Sequence, residues 1–309
     1  MSERSHASCC WCHEPLKRTD ATKPWMCYTP ACWQRCRPWG IVLEKTHKGK
    51  GTGEIAEWLF CPTPKQTEFF EQQQQTTHTL FGGAKAVAKS YAMRWGAYRE
   101  CLRIPGMRVL LLRRTYSELE QSHLMEMPRE AERLAPVGAV YKSGDREFSF
   151  ANYSLIKAGH CETEGDVSKY LSSQWDLIIF DEVVTFTHEM FLAISSCARS
   201  AKAQIIAEGD AKVWGATNPG GRGAAWVKDL FLDHSPDPEK FPDYQPHQWG
   251  FVPGRLDDNP YISDVYRRKL MNLPPILRRQ WLDGDWNAFE GQFFDWQPQM
   301  HVAELGIAA

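Results

Sequence analysis

The sequence predicts an α/β domain over residues 59–290, with a mostly parallel central sheet flanked by helices. Short apolar runs of β type alternate there with amphipathic segments of helical length, a pattern typical of strands joined by crossover helices. A glycine-containing loop at residues 82–90 connects one strand to a helix, and another strand ends in the carboxylates Asp181 and Glu182. Because polar groups after the carboxyl ends of parallel strands meet at one edge of the sheet, we expect both features on the same side of the domain.

The individual elements are predicted from the same periodicities. Strands are expected at residues 79–81, 108–112, 154–158, 177–180, 212–216 and 248–252. The continuous apolar run at 177–180 indicates a strand that is covered on both faces. Helices are expected at residues 89–104, 116–134, 187–198, 222–232, 261–271 and 275–283, and a further helix begins near Pro64.

Composition excludes several classes of protein. The 309 residues are 43% hydrophobic and 24% charged, as in an ordinary globular protein. The net charge of −2 gives no overall basic signature of nucleic-acid binding, although a local basic surface remains compatible with it. No apolar run approaches the roughly 18 residues that span a membrane, and the N-terminus lacks the apolar core of a signal peptide. We therefore expect a cytoplasmic protein that does not act at a membrane.

Residues 1–40 are predicted to form a small zinc-binding module, and residues 41–58 a flexible linker. Six of the ten cysteines fall in the first 36 residues, which in a reducing compartment favours metal over disulfides. A C-x-x-C pair and a following C-x₄-C pair fit one tetrahedral Zn²⁺ site, with the ligands Cys9, Cys12, Cys27 and Cys32. Cys10, Cys36 or His13 could replace one ligand, and thiols in a disordered arm are the alternative interpretation.

The loop at residues 82–90 has the composition of a phosphate-binding loop. Gly83, Lys89 and Ser90 match the spacing G-x-x-x-x-[G]-K-[S/T], with the lysine for phosphate oxygens and the hydroxyl for Mg²⁺. Backbone N–H groups would surround the phosphates along Gly82, Gly83, Ala84, Lys85, Ala86, Val87 and Ala88. The last glycine of the motif is missing, because position 88 is alanine. If Ala86 or Ala88 needs a left-handed backbone, that conformation costs roughly 1–2 kcal/mol. A glycine turn before an ordinary helix is the alternative.

Two further strand ends carry polar groups. Asp181 could hold Mg²⁺, and Glu182 could orient or deprotonate the attacking water; a solvated strand end is the alternative. Thr217 and Asn218 follow the strand predicted at 212–216, where polar groups can sense a γ-phosphate; a plain turn with the glycines after them is the alternative.

Gln66, upstream of the loop, could read an adenine edge through its amide. These features predict a P-loop NTPase core of the RecA-like (ASCE) type.

Taken together, these motifs resemble the large terminase subunit of tailed bacteriophages, the ATP-driven DNA-packaging motor. The resembling stretches, in chain order, are residues 62–66, 81–91, 111–119, 158–167, 177–182, 216–221, 225–228, 255–261, 281–286 and 289–294. The resemblance implies that Lys89 and Ser90 belong to a Walker A motif, and Asp181 and Glu182 to a Walker B motif.

The same resemblance implies roles and partners. Gln66 would contact the adenine of ATP, and Thr217 and Asn218 would couple hydrolysis to movement. An arginine of the same or the neighbouring subunit would stabilise the transition state, with Arg113 and Arg114 as candidates; a solvated or structural role is the alternative for each. A homo-oligomeric ring would translocate double-stranded DNA into a procapsid, with a portal protein and a small terminase subunit as partners in the host cytoplasm. Residues 291–309 would lead toward an RNase H-like nuclease domain, and no nuclease activity is expected from this chain.

Two other functions remain open from the sequence. A helicase-like, nucleic-acid-dependent ATPase could share the same core. Alternatively, Ala86 and Ala88 could weaken catalysis and leave a nucleotide- or DNA-binding module.

Overall fold

The computed structural model describes residues 34–45 and 54–288. Its strands are β1 (Ile41–Lys45), β2 (Glu54–Phe60), β3 (His78–Gly83), β4 (Arg108–Arg113), β5 (Ala139–Lys142), β6 (Glu147–Phe150), β7 (Leu155–His160), β8 (Leu177–Asp181), β9 (Lys212–Thr217) and β10 (Trp249–Gly254). Within this part of the chain, eight strands form one sheet in the order β10-β3-β9-β8-β4-β7-β6-β5, and β1 pairs with β2 separately.

The large sheet is mostly parallel, which confirms the predicted α/β class with a mostly parallel central sheet. Every neighbouring pair from β10 to β7 runs parallel. The hairpin of β5 and β6 adds two antiparallel pairings at the β7 edge. The carboxyl ends of β3, β4, β8, β9 and β10 therefore lie at one edge of the sheet, where the chain turns into the loops that carry the predicted site.

Helices connect and flank these strands. They are α1 (Pro64–Gln75), α2 (Lys89–Arg103), α3 (Tyr116–Leu119), α4 (Met127–Leu134), α5 (Ser168–Leu171), α6 (His188–Ser195), α7 (Ala203–Ala207), α8 (Ala224–Phe231), α9 (Asp264–Met271) and α10 (Pro275–Arg278), with π turns at Glu120–Leu124 and Arg279–Asp283. Among these described helices, none has both the length and the apolarity needed to cross a membrane.

Two apolar clusters cover the two faces of the sheet. Val109 and Leu111 of β4 belong to the cluster under α1, α2 and α4, whereas Leu110 and Leu112 belong to the cluster under α6 and α8. This alternation follows from the two-residue period of a strand. Because both faces are covered, the central strands read as continuous apolar runs, as predicted for residues 177–180.

The helix predicted at residues 116–134 is broken in the structure. α3 ends after one turn, a π turn follows in which the Met125 N–H donates to the Glu120 carbonyl at 3.1 Å, and α4 begins afresh with a proline in its first turn. Pro128 is the physical reason, since it has no N–H to donate to the Leu124 carbonyl four residues back and is well suited to the first turn of a new helix. The break places His123 inside the molecule, where its side chain is 0% exposed.

The flexible linker predicted at residues 41–58 contains ordered strands instead. β1 and β2 pair antiparallel over the two ends of this stretch, and residues 46–53 lie outside the described residues. Next to β1, Trp39 stacks on Phe70 of α1 at 6.1 Å between ring centroids, and Phe60 of β2 stacks on Trp95 of α2 at 5.5 Å. Burial of these aromatic rings outweighs the turn-forming composition that suggested a linker.

Candidate active site

The phosphate loop follows β3 directly and requires strained backbone. Gly83 has φ +130°, and a Cβ there would lie 2.2 Å from the Gly254 carbonyl oxygen at the end of β10, so only glycine fits. Ala86 and Ala88 have φ 62° and 61°, which is the left-handed region. Each alanine therefore carries the cost of roughly 1–2 kcal/mol that a left-handed L-residue incurs. Strain of this kind concentrates at functional sites.

Lys89 opens α2 and points its ammonium into the loop. Its Nζ donates to the Ala84 carbonyl at 2.6 Å and to Asn218 Oδ1 at 2.8 Å. Burial lowers the pKa of Lys89 to about 8, although the carboxylates of Glu182 and Asp181 act in the opposite direction. The lysine is thus a buried cation held at the centre of the candidate site.

Ser90 and Asp181 form an oxygen-rich pair beside this lysine. The Ser90 hydroxyl lies 3.0 Å from both carboxylate oxygens of Asp181, which is 1% exposed. Burial alone would raise the pKa of Asp181, but Arg113, His123 and Ser90 together hold it below its usual range. A hydroxyl and an ionised carboxylate next to a phosphate loop are the donor set that Mg²⁺ prefers. The two residues therefore fit the Mg²⁺ role predicted for them.

Glu182 is held in position by the loop after β9. Its backbone is left-handed, with φ 57°. Asn218 Nδ2 donates to Glu182 Oε1 at 3.1 Å, and Thr217 Oγ1 donates to Oε2 at 3.2 Å. Burial and the neighbouring Asp181 raise the pKa of Glu182 above its ordinary value, and Lys89 opposes them. A raised pKa brings a carboxylate closer to the range in which it serves as a general base.

Asn218 bridges the lysine and the glutamate. Because an ammonium only donates, the amide oxygen of Asn218 must face Lys89, and its nitrogen then faces Glu182. One side chain from the end of β9 thereby contacts a residue from the β3 loop and a residue from the end of β8. The structure brings together the groups that the sequence placed at three separate strand ends.

The two candidate arginines diverge after β4. Arg113 Nε lies 3.0 Å from Asp181 Oδ2, so its guanidinium borders the site. Arg114 instead donates to the Cys161 carbonyl and lies 3.1 Å from Met190 Sδ. Adjacent residues at a strand end face opposite sides, which separates the pair. Of the two, Arg113 is the one placed beside the acidic residues.

Gln66 lies beside the phosphate loop with its amide already engaged. Its Nε2 donates to the Ala88 carbonyl at 3.3 Å, and its Oε1 accepts from the Thr63 N–H at 3.0 Å in the capping box of α1. The residue is 2% exposed. The adenine contact stays a prediction, and in this arrangement it would require Gln66 to release its present partners.

Residues from the C-terminal part of the domain complete the phosphate loop. The Lys85 N–H donates to the Trp281 carbonyl at 2.7 Å, and the Lys85 ammonium lies 3.0 Å from the centroid of the Trp281 ring. Asn259 Nδ2 donates to the Ala86 carbonyl at 2.6 Å. Sequence reasoning assigned no role to Asn259, Trp281 or His123. The first two lay in motifs that supported the resemblance, whereas nothing in the sequence distinguished His123.

The predicted zinc ligands Cys9, Cys12, Cys27 and Cys32 lie outside the described residues. Among residues 34–45 and 54–288, no group of three or more His, Cys, Asp and Glu side chains is arranged to hold a metal ion. Zinc therefore stays a prediction about the N-terminal segment.

Solved structures with this α/β fold include large terminases of bacteriophages. The large terminase of a thermophilic bacteriophage matches with a TM-score of 0.57 and 15% identity, over 72% of this chain and 53% of that chain. The same enzyme in complex with ADP gives a TM-score of 0.56 at 15% identity, with the same coverage of 72% and 53%. The ATPase domain of the Thermus phage P74-26 large terminase gives a TM-score of 0.52 and 15% identity, over 74% and 94%.

The chain thus shares its α/β fold with the ATPase domains of bacteriophage large terminases, which confirms the resemblance at the level of the fold. This chain spans about half the length of the first of these large terminases, 53% of it, but nearly all of the P74-26 ATPase domain, 94%. No family model matches the sequence, and no curated protein matches it.

Proposed function

We propose that this chain is the ATP-hydrolysing motor domain of a bacteriophage terminase that moves double-stranded DNA into a procapsid. One observation carries the proposal: Asn218 joins Lys89 to Glu182 directly beside the Ser90–Asp181 pair. A lysine for phosphate oxygens, an oxygen pair for Mg²⁺ and a carboxylate for water are the parts that phosphoryl transfer to water requires.

Each part has a definite task in this proposal. The ammonium of Lys89 exchanges its loop carbonyls for phosphate oxygens when ATP binds. Ser90 and Asp181 hold Mg²⁺, which when bound neutralises charge on the phosphates. Glu182 orients the attacking water and accepts its proton, and its raised pKa suits that task.

Asn218 supplies a route from hydrolysis to movement. When Lys89 turns to the phosphates, Asn218 loses one partner while it keeps Glu182. Loss of the γ-phosphate restores the Lys89–Asn218 contact, so the loop after β9 has one set of partners before hydrolysis and another after it. Such a discrete exchange of contacts is the kind of event that a motor can transmit to neighbouring elements.

Arg113 is the arginine that this geometry favours for charge stabilisation within the subunit, since its side chain already borders Asp181. Arg114 is tied to the Cys161 carbonyl and would have to leave it. A ring of subunits, a portal protein, a small terminase subunit and the N-terminal zinc module belong to the proposal as partners and parts that the resemblance implies.

A catalytically weakened nucleotide-binding module is the second candidate. The left-handed Ala86 and Ala88 favour it, because strain in the loop opposes the conformation that binds phosphate.

The direct test is ATP hydrolysis by the purified chain with and without double-stranded DNA. We expect turnover that DNA stimulates, and a loss of at least about 100-fold in Lys89→Ala, because the buried cation meets the phosphates. Lys142→Ala is the matched control, since Lys142 is exposed on β5 at the far edge of the sheet. Unchanged turnover in Lys89→Ala contradicts the site, and nucleotide binding without turnover in the wild type favours the weakened module.

A further inference from the structure

A buried chain of polar side chains links α4 to the acidic end of β8. It runs from Glu130 through Arg94 and His123 to Asp181, with exposed fractions of 6%, 5%, 0% and 1%. Burying a charged or polar group costs free energy unless the group is paired. A continuous buried chain of such groups therefore suggests a function beyond packing. The roles proposed above use Asp181 but none of the other three residues.

Glu130 anchors the far end of this chain. Its Oε1 accepts from Arg94 Nη2 at 2.9 Å and from Trp95 Nε1 at 3.1 Å. Its Oε2 accepts from Arg94 Nε at 2.8 Å and from the Tyr98 hydroxyl at 2.7 Å. Both carboxylate oxygens are thus doubly hydrogen-bonded, and the bidentate ion pair fixes the plane of the Arg94 guanidinium.

The fixed guanidinium decides which ring nitrogen of His123 carries the proton. Arg94 Nη1 lies 3.3 Å from His123 Nδ1, and a guanidinium can only donate, so Nδ1 must be the acceptor. The proton of the neutral ring then sits on Nε2, which lies 2.8 Å from Asp181 Oδ2 and donates to it. The orientation of the whole chain follows from the donor character of arginine.

The two oxygens of Asp181 are therefore unequal. Oδ2 is approached by His123 at 2.8 Å, by Arg113 at 3.0 Å and by Ser90 at 3.0 Å. Among the described residues, the hydrogen-bond partner of Oδ1 is the Ser90 hydroxyl, at 3.0 Å. Because Oδ2 is held by fixed donors and the serine hydroxyl can rotate, Oδ1 is the oxygen available to a cation.

We propose that His123 is a positioning residue for the magnesium-binding carboxylate: it holds Asp181 so that Oδ1 faces the Mg²⁺–nucleotide, and the Arg94–Glu130 pair fixes its tautomer. The inference rests on the proposed function in one respect, the assignment of Asp181 to Mg²⁺. Groups that orient a metal ligand in this way typically contribute about 10- to 100-fold in metal affinity.

Two substitutions of His123 test its two ring nitrogens separately. In His123→Gln the amide nitrogen reaches the position of Nε2 and keeps a donor for Asp181. In His123→Asn the shorter amide reaches only the position of Nδ1, so Arg94 keeps an acceptor and Asp181 loses its donor. Both variants lose the ring itself, which makes them matched controls for packing.

The measurement is the Mg²⁺ concentration that gives half-maximal binding of a fluorescent ADP, which needs no hydrolysis. We expect His123→Asn to raise that concentration roughly 10- to 100-fold and His123→Gln to stay within about threefold of the wild type. Equal shifts in the two variants, or no shift in His123→Asn, overturn the inference about His123. Neither result contradicts the proposed binding of ATP. Mg²⁺-independent binding by the wild type overturns it together with the magnesium role of Asp181.

A second readout does not depend on the Asn variant folding. Nitrogen-15 NMR of histidine-labelled wild-type protein distinguishes the two neutral tautomers and the imidazolium, with the His123 signal assigned by its absence in His123→Gln. We expect the neutral ring with its proton on Nε2 at pH 7. A proton on Nδ1, or on both nitrogens, contradicts the chain of donors described above.

Discussion

Single residues at this site depart from their ordinary backbone preferences. Ala86, Ala88 and Glu182 all adopt left-handed backbone with φ between 57° and 62°. An L-residue loses stability in this conformation, whereas glycine adopts it freely. Ala88 is suited to a test, because its side chain is a single methyl group and its hydrogen bonds with Gln66 and Ala92 are made by its backbone carbonyl, which a substitution keeps.

We expect Ala88→Gly to raise the free energy of unfolding by about 0.5–1 kcal/mol, because relief of the left-handed strain exceeds the entropy that glycine loses. Urea denaturation measures this difference. Ala92→Gly is the control, since Ala92 lies inside α2 with ordinary helical backbone and should lose about 1 kcal/mol or more. Equal destabilisation by both substitutions would show that position 88 is not strained.

Among single residues, the sequence could identify those that belong to a motif with a fixed spacing. Lys89 and Asp181 follow from motif spacing and from the end of an apolar strand. The sequence could not show whether Arg113 or Arg114 faces the site, because the answer depends on the residue at which β4 ends. His123 could not be found either, since its position depends on a π turn that the amphipathic pattern does not reveal.

The elements that position the site are the parallel strands and the close contact between β3 and β10. The Ala84 N–H donates to the Gly254 carbonyl at 2.8 Å, which fixes the start of the phosphate loop against the end of β10. Gly83 makes this approach possible, because any side chain there would collide with backbone.

We expect Gly83→Ala to lower the free energy of unfolding by at least about 2 kcal/mol and to abolish nucleotide binding, because a Cβ at φ +130° would lie 2.2 Å from the Gly254 oxygen. Urea denaturation and fluorescent ADP binding measure the two effects. A Cβ on Gly144 meets no atom within 4 Å, so Gly144→Ala should change stability by no more than about 0.5 kcal/mol. Wild-type nucleotide binding in Gly83→Ala would contradict the described loop.

At the element scale, the six parallel strands could be predicted to within about two residues, because buried strands give continuous apolar runs between turn residues. The β5–β6 hairpin was missed, since each strand has only four residues and half-exposed strands give weak signals. The sequence did not predict the strands at 41–45 and 54–60. Their formation depends on packing between aromatic residues that are far apart in sequence, which local composition does not encode.

On the scale of the whole molecule, residues far apart in sequence form one site because a parallel sheet gathers its carboxyl ends. Asn218 contacts both Lys89 and Glu182, which follow two other strands. Ser90, next to Lys89 in sequence, contacts Asp181 at the end of β8. The net charge of −2 requires that any DNA contact use a local surface. Such contacts to phosphates would be independent of sequence and would weaken steeply with salt.

The central claim is that this edge of the sheet hydrolyses ATP through Glu182, and the most direct measurement is the comparison of nucleotide binding and hydrolysis in Glu182→Gln. Glutamine keeps the shape and an acceptor for Asn218 but cannot take a proton from water. We predict binding within about threefold of the wild type and hydrolysis reduced roughly 10²- to 10⁴-fold, the range of general-base catalysis. Hydrolysis at the wild-type rate in Glu182→Gln would contradict the claim.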